Sequence, residues 1–517
     1  MKLIRLMLLA SASLSSVATA QNVVQATAPT VVAGGATYTV DATGTLRTVT
    51  QTTAKAFLDW SALDVPLDHT LRFDQPNANA ITLNRVTGNS RTVIDGRVEA
   101  NGQVWILNPN GVFISPTGRV TTPGFLASTG NISHTDFMAD TTQFAIGNGG
   151  SPAPIINEGI ITSSLGYTIL NAATVRNSGQ IRAERGKVLL AAVDNLSVSF
   201  DQGGLISYAL SNNSSVPAVF RDITNTGTIS ANGGLVALSM ASALGAISGV
   251  INTTGLIEAS AARDKGGNII LDGGSTGFVA AGGTLDVSGK AEGQTGGAIA
   301  VLGSGVSVLS GALLDASGSA GGGKINVGGG WQGAIVNGQA SAVLAGVASG
   351  ATLDASALVS GDGGEVTLWS DIFNPLSQTL AYGAFFARGG ANGGNGGRIE
   401  TSGYYLDTTG VSGSASAPFG AAGTWLFDPY DIEVVAAGSG SGPNIVNAGF
   451  TQGTVGWSPY NGGSGSVFTS ISADNGTFTA PTGSSGSFAV VSAGIQNVET
   501  GIQQSFSAIS GQKLTFY

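Results

Sequence analysis

A short Gly-led motif returns through the middle of the chain. Asn157-Glu158-Gly159-Ile160, Asn177-Ser178-Gly179-Gln180-Ile181, Asn225-Thr226-Gly227-Thr228-Ile229 and Thr253-Thr254-Gly255-Leu256-Ile257 share one pattern. Gly283-Thr284-Leu285-Asp286-Val287-Ser288, Leu314-Asp315-Ala316-Ser317 and Leu353-Asp354-Ala355-Ser356 continue it. The glycines at 159, 179, 227, 255 and 283 are spaced by 20, 48, 28 and 28 residues, and the interval of 48 reads as two turns. A second pattern interleaves with the first: Gly186-Lys187-Val188, Gly234-Leu235-Val236, Gly267-Asn268-Ile269, Gly297-Ala298-Ile299, Gly323-Lys324-Ile325, Gly364-Glu365-Val366 and Gly397-Arg398-Ile399. Each repeat thus holds at least two short strands. Alternation in Lys324-Ile325-Asn326-Val327 and Glu365-Val366-Thr367-Leu368 puts the apolar residues on one face.

A period of 20–30 residues with this content predicts a parallel β-helix, in which short strands stack on the rung before. Val, Ile, Leu and Ala point inward, and Gly and Asn take the corners. With rungs of ~25 residues from about 30 to 430, the stack has ~16 rungs at ~4.8 Å each, a rod on the order of 75 Å long.

Composition fits such a core. Of 517 residues, 42 % are hydrophobic but only 7 % aromatic, and 80 are Gly. The core is therefore made of small and β-branched side chains. Net charge is −10 and no basic run follows the first residues, which argues against a nucleic-acid partner. The absence of Cys excludes a disulfide scaffold, and suits a chain that crosses a periplasm unfolded.

Residues 1–20 read as a secretory signal. Lys2 and Arg5 form the positive region, Leu3 to Ala10 the apolar core, and Ala18-Thr19-Ala20 a small-x-small site that predicts cleavage between Ala20 and Gln21. The apolar run is too short for a transmembrane helix, and no later segment qualifies.

Between the signal and the repeats, Val104-Trp105-Ile106-Leu107-Asn108-Pro109-Asn110-Gly111-Val112-Phe113-Ile114-Ser115 is a strand, a sharp turn and a strand. Asn first, Pro second and Gly fourth suit a type I β-turn, and Asn108 can bond the backbone two residues on. Ordered blocks surround it: Leu71-Arg72-Phe73-Asp74-Gln75-Pro76-Asn77, Leu83-Asn84-Arg85-Val86-Thr87-Gly88, Gly96-Arg97-Val98-Glu99-Ala100-Asn101-Gly102-Gln103-Val104 and Phe125-Leu126-Ala127-Ser128-Thr129. This order resembles the amino-terminal secretion domain of filamentous-haemagglutinin-type exoproteins, the exported half of two-partner secretion systems, which carry a haemagglutination activity domain. The resemblance spans roughly residues 27–270 and is strongest over 71–133. It implies an all-β, right-handed parallel β-helix with an N-terminal cap. It also implies that Asn108, Pro109, Asn110 and Gly111 serve recognition by a partner transporter as well as folding. The family's second block, Asn-Pro-Asn-Leu, is not found.

The expected organisation is a signal peptide at 1–20, the secretion domain at 21–270 and continuing β-helix repeats at 271–435. A linker at 436–443 and a partial β-sandwich-like module at 444–517 follow. The helix is expected to end near Gly423-Thr424-Trp425-Leu426-Phe427-Asp428-Pro429, a block that resembles one found after the helix in large bacterial adhesins. Ala436-Ala437-Gly438-Ser439-Gly440-Ser441-Gly442-Pro443 suits a flexible linker. The chain stops inside a strand-like run, which suggests the front part of a longer exoprotein.

Catalysis finds little support. Asp286, Asp315 and Asp354 recur at equivalent repeat positions and read as a ladder of turns rather than as a paired acid and base. Only His69 and His134 are histidines, and there is no Cys nucleophile or Cys/His metal site. Asp428, Asp431, Glu433 and the Gly361-Asp362-Gly363-Gly364 stretch are weak Ca²⁺ candidates, so no metal or other cofactor is expected. Trp457 and Tyr460 read as core residues of the sandwich-like module before sugar ligands.

The favoured function is a secreted or cell-surface adhesin-like exoprotein, not an enzyme. Its partners are an outer-membrane transporter and a receptor or glycan on a host or neighbouring cell. The alternatives are the delivery stick of a contact-dependent toxin and a β-helical polysaccharide-degrading enzyme.

Overall fold

A computed structural model describes residues 27–430 apart from short segments at 140–141, 148–150, 164–165, 202–203, 212–220, 241–248 and 263–265, together with six short strands beyond residue 457. The signal sequence, the Ala20–Gln21 bond, the linker and Trp457 lie outside the described residues.

Three long sheets build a parallel β-helix. The chain visits them in a fixed order, as in Gln103–Leu107 on sheet I, Val112–Ile114 on sheet II and Arg119–Thr121 on sheet III. Each strand then pairs in parallel with its counterpart one rung on. Each repeat thus carries three strands, one more than the two legible in its Gly-led patterns.

Sheets I and III have fourteen strands and sheet II eleven. The first strand of sheet I, Thr30–Ala33, runs antiparallel to Lys55–Trp60, and the first of sheet III, Ala36–Val40, antiparallel to Leu46–Gln51. These two strands cover the first rung, as a solenoid end requires. Thirteen parallel rungs remain in sheet I, ending at Thr424–Pro429. At ~4.8 Å per rung the stack is about 60 Å long, shorter than the ~16 rungs and ~75 Å expected.

The shortfall has a local cause. The 48-residue interval between Gly179 and Gly227 is one rung, because Gln180 pairs directly with Thr228 and Ile181 with Ile229. The surplus leaves the helix as the strands Asn195–Asp201 and Gly204–Ser211, which pair with each other. A similar departure holds the helix His134–Met138 and the strand Gln143–Gly147. Gln143–Gly147 pairs with Asn195–Asp201, so two separate departures form one three-stranded antiparallel sheet outside the solenoid. Both leave at the corner from sheet I to sheet II. The Trp331–Gly333 turn, between Lys324–Val327 and Leu344–Val347, leaves at the same corner. The corner from sheet II to sheet III stays short, with only Glu158-Gly159 between Asn157 and Ile160. At Gly179 a Cβ would lie 2.2 Å from the Gly159 carbonyl oxygen on the rung before, so the corner admits only Gly.

The inward columns form one continuous core. Val188, Val236, Ile269, Ile299, Ile325, Val366 and Ile399 stack along sheet I with no exposed surface. Each such side chain contributes about 1.5–3 kcal/mol on burial. At one corner the core is polar. The Asn157 side-chain amide donates to Asn177 Oδ1 at 2.7 Å, Asn177 donates to Asn225 Oδ1 at 2.8 Å, and Asn225 donates to Thr253 Oγ1 at 3.3 Å. The polar residue that opens the repeat motif thus forms a buried amide ladder.

Beyond residue 457, Ser458–Tyr460 pairs with Gly501–Gln503, Ser464–Phe468 with Phe488–Ser492, and Ile471–Ala473 with Gly476–Phe478, all antiparallel. No helix among the described residues is long and apolar enough to cross a membrane.

Candidate recognition turn

The Asn108–Gly111 turn occupies the corner between sheets I and II on the third parallel rung. Gly111 N–H donates to the Asn108 carbonyl at 3.0 Å, which closes a β-turn. The Asn108 side chain accepts from Asn110 N–H at 2.9 Å, two residues on as expected. Asn110 is not among the residues with positive φ, whereas Gly111 has φ +95°, which excludes type II and fits type I.

Asn108 is fully buried, and its side-chain NH₂ donates to Ser90 O at 3.1 Å and Thr92 Oγ1 at 3.0 Å. Asn110 Nδ2 donates to Gly88 O at 2.9 Å. The turn is therefore bonded to the 88–92 loop of the previous rung. On its other side, Ser151 Oγ donates to Pro109 O at 2.6 Å, and a Cβ at Gly111 would lie 2.4 Å from Pro154 O. Of the four residues only Pro109 is exposed, with Asn110 half-buried. In the folded chain Asn108 and Gly111 fix the corner, and Pro109 and part of Asn110 reach its surface.

The strand before the turn is buried on both faces. Val104 and Ile106 point into the solenoid core, while Trp105 and Leu107 point outward into a second cluster. There Trp105 meets Phe144 edge-on at 5.1 Å, and Tyr167 lies 5.0 Å from Phe200. The Trp105 indole donates to Tyr167 Oη at 2.7 Å, and Tyr167 in turn donates to Gln103 Oε1 at 2.5 Å. Lys55 Nζ closes the end of the His134–Met138 helix, donating to Phe137 O at 3.1 Å and Ala139 O at 2.7 Å. Arg221 and Asp194, both buried and 2.8 Å apart, join the two ends of the Asn195–Ser211 departure. Reading the sequence for repeats missed this outer layer. The available signal was the unbroken apolar run Val104–Leu107, which marks a strand covered on both sides.

The remaining candidates fall elsewhere. Asp286, Asp315 and Asp354 stand in register on the outer face of sheet III. Their Oδ1 atoms accept from the N–H of Ser288, Ser317 and Ser356 at 2.7, 2.9 and 2.9 Å, so each fixes its own turn. Lys290 Nζ lies 2.8 Å from Asp315 Oδ2, and the bond to that carboxylate raises the pKa of Lys290. The His134 ring sits edge-on to Phe57, and His69 Nδ1 lies 2.9 Å from Leu67 O. Asp362 Oδ1 accepts from Asn395 N–H at 2.7 Å, and Asp431 and Glu433 lie outside the described residues.

A rung stack with an N-terminal antiparallel cover and an outer layer packed on the turn-bearing strand defines a capped parallel β-helical domain. The chain belongs to the TPS secretion domain family, whose model matches residues 20–287. It is similar to the HMW1 secretion domain of Haemophilus influenzae, whose crystal structure it matches with a TM-score of 0.65 at 28 % identity, covering 78 % of this chain and all of that one. It is also similar to two heme/hemopexin-binding proteins of Haemophilus influenzae, 29 % identical over 239 residues and 28 % over 246. These matches cover 45 % and 43 % of this chain, and the chain spans 26 % of each relative's length.

Proposed function

We propose that this chain is a non-catalytic, adhesin-like exoprotein. Its signal peptide is cleaved between Ala20 and Gln21, and a partner outer-membrane transporter exports it to the cell surface or the medium. The secretion domain directs that export, and the transporter reads the Asn108–Gly111 turn in a chain that is not yet fully folded. The observation that carries this reading is the family match over the rungs that hold the turn. A local turn is cheap to close early. Each later rung then buries apolar surface on a finished one, so folding outside the cell can draw the chain outward. The rod would present a binding surface to a receptor or glycan on a host or neighbouring cell. Heme and hemopexin, named for the relatives, are not carried over, because the chain spans only 26 % of their length.

The test is expression in a Gram-negative host with and without the partner transporter. The expected result is mature protein in the medium only when the transporter is present. Export without it, or retention in the periplasm beside it, would contradict the proposal.

A further inference from the structure

Alternation along sheet I sends Asn326 and Thr367 outward, yet neither reaches solvent. They stand on a column of outward positions carried from strand to strand through the sheet. Under the three-stranded outer layer that column is apolar, with Trp105, Leu126, Ile169 and Leu189. Beyond Ala300 it turns polar. Asn326, Thr367 and Glu400 follow on consecutive strands, with 4 %, 0 % and 0 % of their surface exposed.

The segment between Lys324–Val327 and Leu344–Val347 covers them, running lengthwise over the sheet as a strap. Gln332 N–H donates to Glu400 Oε2 two rungs ahead at 2.7 Å, and the Asn337 and Gln339 side chains donate to Asp272 Oδ2 two rungs behind at 3.3 Å. The Trp331 ring lies 4.4 Å from the Arg398 guanidinium. Cβ atoms at Gly329 and Gly333 would lie 2.7 and 2.8 Å from the Trp369 ring, so the strap packs directly on that indole.

Three polar atoms beneath the strap have no hydrogen-bond partner among the described residues. They are Asn326 Oδ1, Thr367 Oγ1 and Trp369 Nε1, the last on the same strand as Thr367 and 3 % exposed. Buried polar groups are almost always paired, so three such neighbours point to a bound species. The donor types decide which. Asn326 and Thr367 offer hard oxygens beside the Glu400 carboxylate, whose Oε1 also accepts from Ser402 Oγ at 3.0 Å. Lys324 and Arg398, on the next outward column, share Glu365. Strands stand ~4.8 Å apart, which is twice a Ca²⁺–oxygen distance of about 2.3–2.6 Å. An ion midway between two rungs is thus in reach of oxygens from both. Mg²⁺, at about 2.0–2.1 Å, is too small for that span.

We infer that a Ca²⁺ ion binds under the strap, held by Asn326 Oδ1, Thr367 Oγ1 and the Glu400 carboxylate. Water completes a shell of about six to eight oxygens, and one such water accepts from the Trp369 indole. With a single carboxylate, the affinity falls in the range of extracellular modules, about 10⁻⁴–10⁻³ M. The sequence predicts no metal because the site joins single residues from three rungs instead of a cluster of acids.

The experiment uses the full chain freed of metal by a chelator. Its urea midpoint is followed against CaCl₂ and, at equal ionic strength, MgCl₂. Tb³⁺ serves as a luminescent stand-in for Ca²⁺, excited through the indoles. The midpoint is expected to rise with millimolar Ca²⁺ and not with Mg²⁺, and Ca²⁺ is expected to displace the Tb³⁺ emission. Thr367→Val keeps the shape and removes the hydroxyl. It should weaken both responses at least about tenfold, while its metal-free midpoint stays at or above that of the native chain, since no hydrogen bond is lost. Asn326→Leu is a second variant read in the same way. An equal response to Mg²⁺, an undiminished Ca²⁺ response in both variants, or no Ca²⁺ effect at all, which leaves water alone under the strap, would overturn the inference.

Discussion

The indole N–H of Trp105 donates to the hydroxyl of Tyr167 at 2.7 Å, across 62 residues of sequence. The two strands are not neighbours, because Gly124–Ser128 lies between them in sheet I. Tyr167 reaches over Gly124, where a Cβ would lie 2.7 Å from its ring. A glycine on one rung thus lets an aromatic on the next bond to the rung before. Tyr167→Phe leaves the Trp105 N–H and Gln103 Oε1 buried and unpaired. The expected loss is about 1–3 kcal/mol per unpaired group, read by urea unfolding with an unchanged m value. Gly124→Val is expected to cost more, because it displaces the ring itself.

The same hydroxyl predicts an alkaline limit. Burial pushes the Tyr167 pKa strongly upward. An unfolded tyrosine ionises near pH ~10, while the folded one keeps its proton. The unfolded state then binds fewer protons, so stability falls as pH rises above about 10. Burial raises Tyr38 and Tyr208 in the same direction, and burial together with Asp407 pushes Tyr382 up to about 12. Urea midpoints measured from pH ~8 to ~11.5, a window that brackets the unfolded tyrosine value, should therefore fall in the native chain, and fall less steeply in Tyr167→Phe. Equal slopes would contradict a buried, protonated hydroxyl.

The amide ladder predicts a ranking. Asn177 both accepts from Asn157 and donates to Asn225, so Asn177→Leu leaves the buried Asn225 Oδ1 without its donor, at about 1–3 kcal/mol, and leaves Asn157 Nδ2 with only its 3.4 Å bond to Gln180 O. Thr253→Val removes only a 3.3 Å bond at the end of the ladder and is expected to cost less than about 1.5 kcal/mol. Thermal unfolding of the two variants checks the order, and a reversed order would contradict a continuous ladder.

Strand register predicts a contrast between neighbours. Ile269 has no exposed surface and points into the solenoid, whereas Ile270 points outward and is half-buried. Ile269→Asp places a charge in the dry stack at a cost of several kcal/mol. Ile270→Asp should cost clearly less, and equal losses would show a slipped register.

The solenoid was legible because its signals are local. Gly159 and Gly179 sit at tight corners, and alternation within Lys324–Val327 sets the inward face. The outer layer was not, because its pairing is remote. Gln143–Gly147 finds Asn195–Asp201 only after the intervening rungs bring both to one corner. Without that pairing, the 48-residue interval reads as an extra turn. The Asn108 turn was legible as a β-turn, and the Asn108 bond to Asn110 follows from local chemistry. The bonds to Ser90 and Thr92 depend on stacking and do not show in a linear reading.

Export is the most direct test of the turn's role. Asn108→Ala removes the bonds to Ser90, Thr92 and Asn110, and Gly111→Val meets Pro154 O and a positive φ, so both variants lose stability as well as any contact with a transporter. Pro109→Ala is exposed and should change stability by only about 0.4–1 kcal/mol. A control must therefore match the stability loss elsewhere. Ile325→Ala, buried in a rung beyond residue 287, is expected to lose about 2–5 kcal/mol. The measurement is the ratio of secreted to periplasmic protein with the partner transporter co-expressed, for variants paired by their measured loss of stability. The account predicts that Asn108→Ala and Gly111→Val lower the ratio well below Ile325→Ala at equal destabilisation, with precursor degraded in the periplasm. Equal ratios, or normal export of both turn variants, would contradict a role for residues 108–111 beyond folding.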